Sequence, residues 1–195
     1  HSFLPEEKLI VATTQLLNVE YSAVAEGISR LIEGEKLVRD TLAGITVSYL
    51  PDLYEAELYT AQRLREFAKK QFPLPAGWQR MLRNVQDGSG ITYSPQQLEA
   101  IEESLTSGLL LITGGPGTGK TTIVKGILSL YDQMGMKYML AAPTGRAAKR
   151  LTEVTGQEAS TIHRLLGAGI DPHSGELFFS KNEEDPLKVD AVIVD

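Results

Sequence analysis

A glycine-rich segment that ends in lysine and threonine is the part of this sequence best suited to chemistry. It reads Gly-Gly-Pro-Gly-Thr-Gly-Lys-Thr-Thr over residues 114–122 and follows the apolar run 109–113. In the pattern G-x-x-x-x-G-K-[ST], glycines let successive backbone N–H groups point at phosphate oxygens. The lysine then reaches the outer phosphates, and the hydroxyl ligates Mg²⁺. The spacing therefore predicts a site for nucleotide phosphates and Mg²⁺.

The pattern assigns a role to each residue of this loop. We expect the cofactor-binding residues to be Gly114, Gly115, Pro116, Gly117, Thr118, Gly119, Lys120, Thr121 and Thr122. Lys120 is expected to contact the β and γ phosphates and Thr121 to ligate the metal. The helix that follows adds the positive end of its dipole to the site. An ordinary turn between a strand and a helix needs only one or two glycines, so it is the weaker interpretation.

Asp195 is the second candidate for metal binding. It follows the hydrophobic strand pattern 189–194. A metal that bridges two phosphates needs another oxygen ligand from the protein, and an aspartate at the end of a neighbouring strand supplies one. A strand ending in aspartate is a weak signal alone, but its position after a phosphate loop strengthens it. We expect Asp195 to hold Mg²⁺ together with Thr121.

Gln97 lies in the segment Ser-Pro-Gln-Gln and has two possible roles. In the first, Ser94 and Gln97 form a capping box at the start of a helix, with Pro95 in the first helical position. In the second, the carboxamide recognises adenine, since it both donates and accepts along the edge of that base. The residues alone support the two roles about equally.

Two further segments have residue types suited to phosphate binding. Thr144 and Arg146 lie where a helix is expected to begin, and backbone N–H groups and a guanidinium bind phosphates there. The segment 160–164 is similar, with a polar cap followed by His163 and Arg164. A lone histidine is more often structural, and the spacing of histidines and carboxylates does not indicate a metal centre. An ordinary helix turn remains the alternative for both segments.

Composition limits the class of protein. The 195 residues contain no cysteine, which excludes disulfides and thiolate chemistry and fits a reducing cytoplasm. No apolar run approaches the ~18 residues of a membrane span, so no membrane partner is expected. The net charge of −6 disfavours a nucleic acid, yet residues 111–170 carry seven basic and three acidic side chains. Local fields steer a polyanion, although ordinary solvated helix residues explain the same excess.

Hydrophobic periodicity divides the chain into three parts. Residues 1–72 predict two helices, a hairpin and a long connecting helix from Pro51, which together suit a small winged-helix-like accessory domain. Its second helix offers Arg30 against three glutamates, which favours a structural or protein-contact role over DNA binding. Prolines and glycines predict a poorly ordered linker over residues 73–93.

Residues 94–195 predict alternating helices and strands. The expected elements are helix 95–106, strand 109–113, helix 120–134, strand 138–142, helix 145–154, a short helix near 161–167 and strand 189–194. Strands that are apolar on both faces are typical of a buried parallel sheet. We therefore expect a doubly wound α/β domain with the nucleotide at the carboxyl ends of its strands.

The order of these motifs resembles that of superfamily 1 helicases. Gln97, the phosphate loop, Ala-Pro-Thr-Gly-Arg-Ala-Ala, Ser-Thr-Ile-His-Arg-Leu-Leu and Val-Ile-Val-Asp occur in the order of motifs Q, I, Ia, Ib and the start of II. The wording is most similar to the RecD/TraA group of bacterial DNA helicases, in particular RecD-like enzymes with an extended N-terminal region. The similarity is dense over residues 94–195 and looser over residues 1–93.

The resemblance implies a RecA-like P-loop motor that uses ATP and Mg²⁺ to move 5′-to-3′ along single-stranded DNA and to separate duplexes. By position, Gln97 would read adenine and Asp195 would help to hold Mg²⁺. The residues expected near DNA are Thr144, Arg146, Thr161, His163 and Arg164.

The sequence departs from the family pattern after Asp195. The glutamate that orients water, the γ-phosphate sensor, the arginine fingers and the second motor domain do not follow. We therefore expect a fragment of a larger protein that binds ATP and hydrolyses it poorly. Two alternatives stay open: another P-loop enzyme, such as a kinase, and a non-catalytic nucleotide-binding module whose residues 1–72 contact a protein partner.

Overall fold

The computed structural model describes residues 2–195, which divide into two compact units with the boundary between Lys70 and Gln71. Each unit has a hydrophobic cluster of its own. In the described part of the chain, no helix combines the length and the hydropathy that crossing a membrane requires.

The first unit contains an antiparallel sheet and three helices. Its elements are β1 (Phe3–Pro5), α1 (Glu6–Leu17), α2 (Tyr21–Glu33), β2 (Val38–Leu42), β3 (Ile45–Tyr49) and α3 (Pro51–Lys69). The strand order is β1-β3-β2. Ala43 and Gly44 have φ of 49° and 80°, and two positive φ values are what a two-residue hairpin turn requires. The predicted helices and hairpin are confirmed, whereas β1 was not predicted.

Helix α3 contacts the sheet of this unit through Tyr49. The rings of Tyr49 and Tyr54 lie 5.1 Å apart, and Phe3 packs on Tyr49 at 5.3 Å. Burial and the hydrogen-bonded carboxylate of Glu57 raise the pKa of Tyr49 to about 12. The hydroxyl therefore stays protonated and joins the helix to β3.

The second unit is mixed α/β with a parallel sheet, which confirms the predicted α/β class. Its elements are α4 (Trp78–Ser89), α5 (Pro95–Thr106), α6 (Lys120–Met134), β4 (Tyr138–Ala142), α7 (Gly145–Thr155), β5 (Ala159–Thr161), α8 (Ile162–Leu165), β6 (Ala168–Ile170), β7 (Leu177–Phe179) and β8 (Ala191–Val194). The parallel sheet has the order β5-β4-β8, and β6 and β7 form a separate antiparallel pair.

The poorly ordered linker expected over residues 73–93 is instead largely helical. Helix α4 occupies this segment and buries Trp78, Leu82 and Val85 in the core of the second unit. Gly77 and Gly90 flank the helix with φ of 77° and 66°. These glycines mark the ends of a helix, because they adopt the left-handed conformation that other residues avoid.

The strand expected over residues 109–113 is not observed. Its backbone forms no ladder with another strand of the described chain, and Leu111 is 79% exposed. Ile112 nevertheless packs against the core. An apolar run favours burial, but a strand also needs a neighbour that satisfies its N–H and C=O groups, and in the described chain no strand pairs with this segment.

Three short strands were not predicted. β5 has only three residues and pairs with β4, while β6 and β7 lie between the short helix and the last strand, where no element was predicted. The turn between β6 and β7 is closed by Asp171, whose carboxylate accepts the N–H groups of His173 and Ser174 at 2.8 and 2.9 Å. These hydrogen bonds hold the pKa of Asp171 below its ordinary value.

The core of the second unit packs α5 directly against α6. Ile101 of α5 and Leu130 of α6 are completely buried. Tyr93 lies across α6 at Gly126, where an added Cβ would lie 2.6 Å from the tyrosine hydroxyl oxygen. The absence of a side chain at Gly126 therefore allows the two helices to approach, and these helices carry Gln97 and the end of the phosphate loop.

Candidate nucleotide-binding site

Three loops meet at the carboxyl edge of the parallel sheet. Ala142 of β4 is in register with Thr161 of β5, and Ala141 is in register with Val194 of β8. The N–H group of Asp195 donates to the carbonyl of Ala141 at 3.0 Å. Parallel strands end on the same side, so the residues that follow β4, β5 and β8 lie at one edge.

The phosphate loop presents unused donors. Gly117 and Gly119 have φ of 78° and 86°, a conformation that glycine adopts without steric cost. In the described chain, the backbone N–H groups of Gly115, Gly117, Thr118 and Gly119 form no hydrogen bond with a protein acceptor. Backbone amides left open in a glycine-rich loop form an anion-binding concavity. The loop therefore fits a nucleotide phosphate chain.

Side chains of the loop hold its curved shape. The Lys120 ammonium donates to the carbonyls of Gly114 and Gly115 at 2.6 and 2.9 Å. The Thr118 hydroxyl donates to the Gly115 carbonyl at 2.9 Å. An added Cβ at Gly114 would lie 2.6 Å from the Thr118 hydroxyl oxygen. The close approach of these groups explains why glycine is needed at residue 114.

Gln97 caps its helix and also touches the phosphate loop. Its Oε1 accepts the Ser94 N–H at 2.9 Å, and its own N–H donates to the Ser94 hydroxyl at 3.3 Å, which confirms the predicted capping box. Its Nε2 borders Gly119 so closely that a methyl group there would collide with it. A carboxamide oxygen has two lone pairs, so capping leaves a donor and an acceptor available for a base.

A cavity of about 700 Å³ opens beside the loop between α6 and α7. Its lining residues are Pro116, Gly117, Thr118, Gly119, Lys120, Thr121, Val124, Thr144, Arg146, Ala147, Arg150, Leu151, Val154 and Asp195. The expected metal and phosphate residues Lys120, Thr121 and Asp195 are therefore together. Gly114, Gly115 and Thr122 belong to the loop and Gln97 borders it, but these four residues lie outside the lining.

The residues expected near DNA are divided between two places. Thr144 and Arg146 line the cavity of the phosphate loop, whereas Thr161, His163 and Arg164 do not. Both threonines cap helices, with Thr144 accepting from the Ala147 N–H and Thr161 from the Arg164 N–H, each at 3.2 Å.

The exposed His163 ring lies 6.0 Å from the Phe179 ring of β7, which gives it a structural contact. Arg150 lines the cavity but was not predicted, although it lies four residues after Arg146, on the same side of a helix.

The described residues contain no cluster of three or more histidines, cysteines or carboxylates that could hold a metal by itself. The lining of the cavity offers one carboxylate, that of Asp195, besides the hydroxyl of Thr121. That number fits Mg²⁺, which is usually bound through one or two carboxylates together with phosphates and water.

Comparison with known proteins agrees with this geometry. A family profile described as "AAA domain" matches residues 97–195. The chain is 34% identical over 204 residues to the ATP-dependent RecD2 DNA helicase of Deinococcus radiodurans, an alignment that covers 100% of this chain and 27% of that protein.

Two RecD subunits are also similar. The chain is 37% identical over 123 residues to the RecBCD enzyme subunit RecD of Mycolicibacterium smegmatis, covering 51% of this chain and 22% of that protein. It is 31% identical over 134 residues to the corresponding subunit of Haemophilus influenzae, covering 53% and 20%. The matched region therefore spans about a quarter or less of these relatives.

A parallel sheet with a glycine-rich phosphate loop before α6 defines the class, a P-loop nucleotide-binding protein. The profile match extends over half of the chain and includes the loop, the α7 segment and Asp195. The chain belongs to the AAA domain family, and within it to the RecD-like superfamily 1 helicases.

Proposed function

We propose that this chain binds ATP and Mg²⁺ and contributes to an ATP-driven motor that moves 5′-to-3′ on single-stranded DNA and opens duplexes from their ends. The observation that carries the proposal is a loop of unused backbone donors beside Lys120, Thr121 and Asp195 in one cavity. The relatives named RecBCD enzyme subunit RecD and ATP-dependent RecD2 DNA helicase support the DNA substrate.

Each group in the cavity has a role that follows from its chemistry. The loop amides bind phosphate oxygens, and Lys120 neutralises their charge. Thr121 and Asp195 ligate Mg²⁺ through oxygen atoms. Gln97, next to Gly119, orients adenine through its carboxamide. When bound, the nucleotide supplies the phosphoryl group whose transfer to water releases the free energy for movement.

The single-stranded DNA path is proposed to run along the same sheet edge. Thr161 ends β5, and His163 and Arg164 follow it. Thr144 and Arg146 follow β4, the neighbour of β5 in the sheet. Phosphates are bound by backbone amides at helix starts and by guanidinium groups. Binding through phosphates releases counterions, so it should weaken steeply as salt concentration rises.

A labelled single-stranded oligonucleotide titrated at two salt concentrations tests the DNA path. Arg164→Ala should weaken binding and lower the salt dependence by about one released ion, because one phosphate contact is lost. Lys125→Ala, which removes an exposed charge from α6, is the control. Binding that is independent of salt would contradict a phosphate-mediated path.

The first unit is proposed to be a winged-helix-like accessory domain that contacts a protein. Its order of helices followed by a hairpin supports this assignment. On α2, Arg30 is paired with Glu26 at 2.7 Å. A paired arginine on a helix that also exposes Glu33 is poorly suited to a polyanion, whereas it is compatible with a protein surface.

Nucleotide binding is tested by thermal unfolding with Mg²⁺ and ATP or ADP. A ligand at about 100 times its Kd should stabilise the wild-type chain by about 2.7 kcal/mol. Lys120→Ala should abolish this gain and leave the unliganded chain folded, because the side chain is close to the surface. Lys125→Ala should retain the gain. An equal shift in the Lys120→Ala variant would exclude the loop as the nucleotide site.

A further inference from the structure

Two arginines on α7 face the cavity of the phosphate loop. We infer that Arg146 and Arg150 form a cationic wall that selects a nucleoside triphosphate over a diphosphate. This inference rests on the proposed nucleotide site. It moves Arg146 from the DNA path proposed above to the nucleotide, and Thr144, Thr161, His163 and Arg164 remain in that path.

The spacing on α7 places both guanidinium groups on one side of the helix. Arg146 and Arg150 are four residues apart, and side chains at that spacing are neighbours on a helix surface. Both line the cavity, together with Ala147 and Leu151 on the adjoining part of the same face. Lys149 is also exposed on α7 but lies outside the lining. The cavity is therefore lined by two of the three cationic side chains of α7, Arg146 and Arg150.

Neither arginine of the pair is neutralised by the protein. In the described chain, Arg146 and Arg150 form no ion pair, while Arg30 and Arg39 each contact a glutamate at 2.7 Å. Like charges at this helical spacing repel each other. An anion held between them would remove that repulsion, so the arrangement is suited to a ligand with negative charge.

The balance of charge in the cavity matches a triphosphate. The lining contains three cationic side chains, Lys120, Arg146 and Arg150, and one carboxylate, Asp195. Without the two arginines, the positive charge of Lys120 and the negative charge of Asp195 would cancel. The terminal phosphate adds negative charge that a diphosphate lacks, and charge-assisted hydrogen bonds from arginine to phosphate are strong and often bidentate. The pair is thus a source of selectivity for the third phosphate.

Binding of ADP and of a non-hydrolysable ATP analogue, each with Mg²⁺, tests the inference by calorimetry. The variants are Arg146→Gln, Arg150→Gln, the double variant and the matched control Lys149→Gln. The double variant should bind the triphosphate about tenfold or more weakly, as expected for lost charge-assisted bonds. Its affinity for ADP should stay within about twofold of wild type, since Lys120 and the loop remain. Lys149→Gln should change neither affinity.

The conservative variants separate charge from packing. Arg146→Lys with Arg150→Lys keeps both charges and should recover part of the lost triphosphate affinity, although lysine lacks the bidentate fork. Melting temperatures without nucleotide establish that each variant is folded. Recovery with lysine would show that charge, and not the side-chain stem, provides selectivity.

Several results would overturn the inference. Equal losses for both nucleotides, or no loss for either, would exclude selection of the third phosphate. Weaker oligonucleotide binding by Arg146→Gln with both nucleotides unaffected would return this residue to the DNA path. If Lys120→Ala loses nucleotide while the arginine variants keep the wild-type ratio, this inference alone fails. If the wild-type chain binds no nucleotide, the proposed function fails with it.

Discussion

Gly119 joins the phosphate loop to α6, and its backbone conformation and close neighbours make glycine the residue required at this position. Its φ is 86°, and a Cβ would collide with the Gln97 amide. The Nε2 atom of Gln97 lies beside the loop, while the Oε1 atom of the same side chain caps α5. Gln97 therefore connects the loop, the helix cap and the proposed adenine contact. Substitutions at Gln97 or at Gly119 should consequently affect both stability and nucleotide binding.

Gly119→Ala should lower stability and nucleotide affinity together. The left-handed conformation costs a non-glycine residue about 1–2 kcal/mol, and the collision displaces Gln97 in addition. Thermal unfolding with and without Mg²⁺ and ATP measures both effects. Gly115→Ala is the matched control for stability, because its φ is not positive and no atom lies within 4 Å of its added Cβ. Equal stability of the two variants would contradict this account of the loop.

Tyr49 should make the first unit sensitive to alkaline pH. Its pKa rises from 10.0 to about 12 in the folded chain because of burial and Glu57. Between these values the unfolded chain has lost a proton that the folded chain retains, so stability falls as pH rises. Below pH 10 the contribution is fully present.

Denaturant unfolding at several pH values between about 9 and 12 tests this expectation. This range begins about one pH unit below the ordinary pKa of 10.0 and ends at the raised pKa of about 12. Tyr49→Phe should flatten the decline in the transition of the first unit. Tyr21→Phe, which removes an exposed hydroxyl from the same unit, is the control. An unchanged slope in Tyr49→Phe would show that this hydroxyl does not link stability to pH.

Among the elements, α5 and α6 determine whether the site can form. α5 carries Gln97, α6 begins at Lys120, and the two helices are held together by buried residues such as Ile101 and Leu130. Their distance is limited by Gly126, which faces Tyr93. The site therefore depends on packing about two helical turns away from the phosphate loop, a distance of about 11 Å at 5.4 Å per turn.

Gly126→Ala should destabilise the second unit even though alanine favours helices. Replacing glycine in a helix gains up to about 1 kcal/mol, but forcing a methyl group against Tyr93 costs about 1–3 kcal/mol. Gly27→Ala in α2 is the matched control, because nothing lies within 4 Å of its added Cβ. Unfolding by denaturant should show destabilisation at residue 126 and stabilisation at residue 27. Stabilisation at both positions would show that Tyr93 moves aside without cost.

At the scale of the whole molecule, the chain consists of two units and corresponds to about a quarter or less of its relatives. The cavity contains one carboxylate among the described residues, Asp195, and that group is proposed to ligate the metal. Hydrolysis also needs a group that orients water. Binding and turnover are therefore expected to separate in this chain.

Residues 1–195 should bind ATP without hydrolysing it appreciably, and single-stranded DNA should not accelerate phosphate release. Asp195 is the one carboxylate in the described lining of the cavity and is proposed to ligate the metal, so the cavity offers no second carboxylate to orient the attacking water. Steady-state phosphate release with and without an oligonucleotide is the measurement, and Lys120→Ala controls for contamination. DNA-stimulated turnover that disappears in Lys120→Ala would show that the catalytic groups are complete within these residues.

Local features of the fold and the site were predictable from the sequence. The capping box at Ser94 and Gln97, the glycines of the loop and the start of α6 depend on residues within a few positions of one another. Helical periodicity and the hairpin at Ala43 and Gly44 are similarly local. Such features are specified by steric and hydrogen-bonding preferences that the neighbouring residues carry with them.

The sequence alone thus determined the phosphate loop, its caps and most helices. Only the tertiary structure decided that α4 is core, that residues 109–113 lack a strand partner, and that Arg150 shares a cavity with Lys120. Strand pairing and cavity walls depend on residues far apart in the chain, whose approach is set by the packing of whole helices and sheets. A local sequence pattern does not predict which distant residues come together, because the contacts between them form only when the core is assembled.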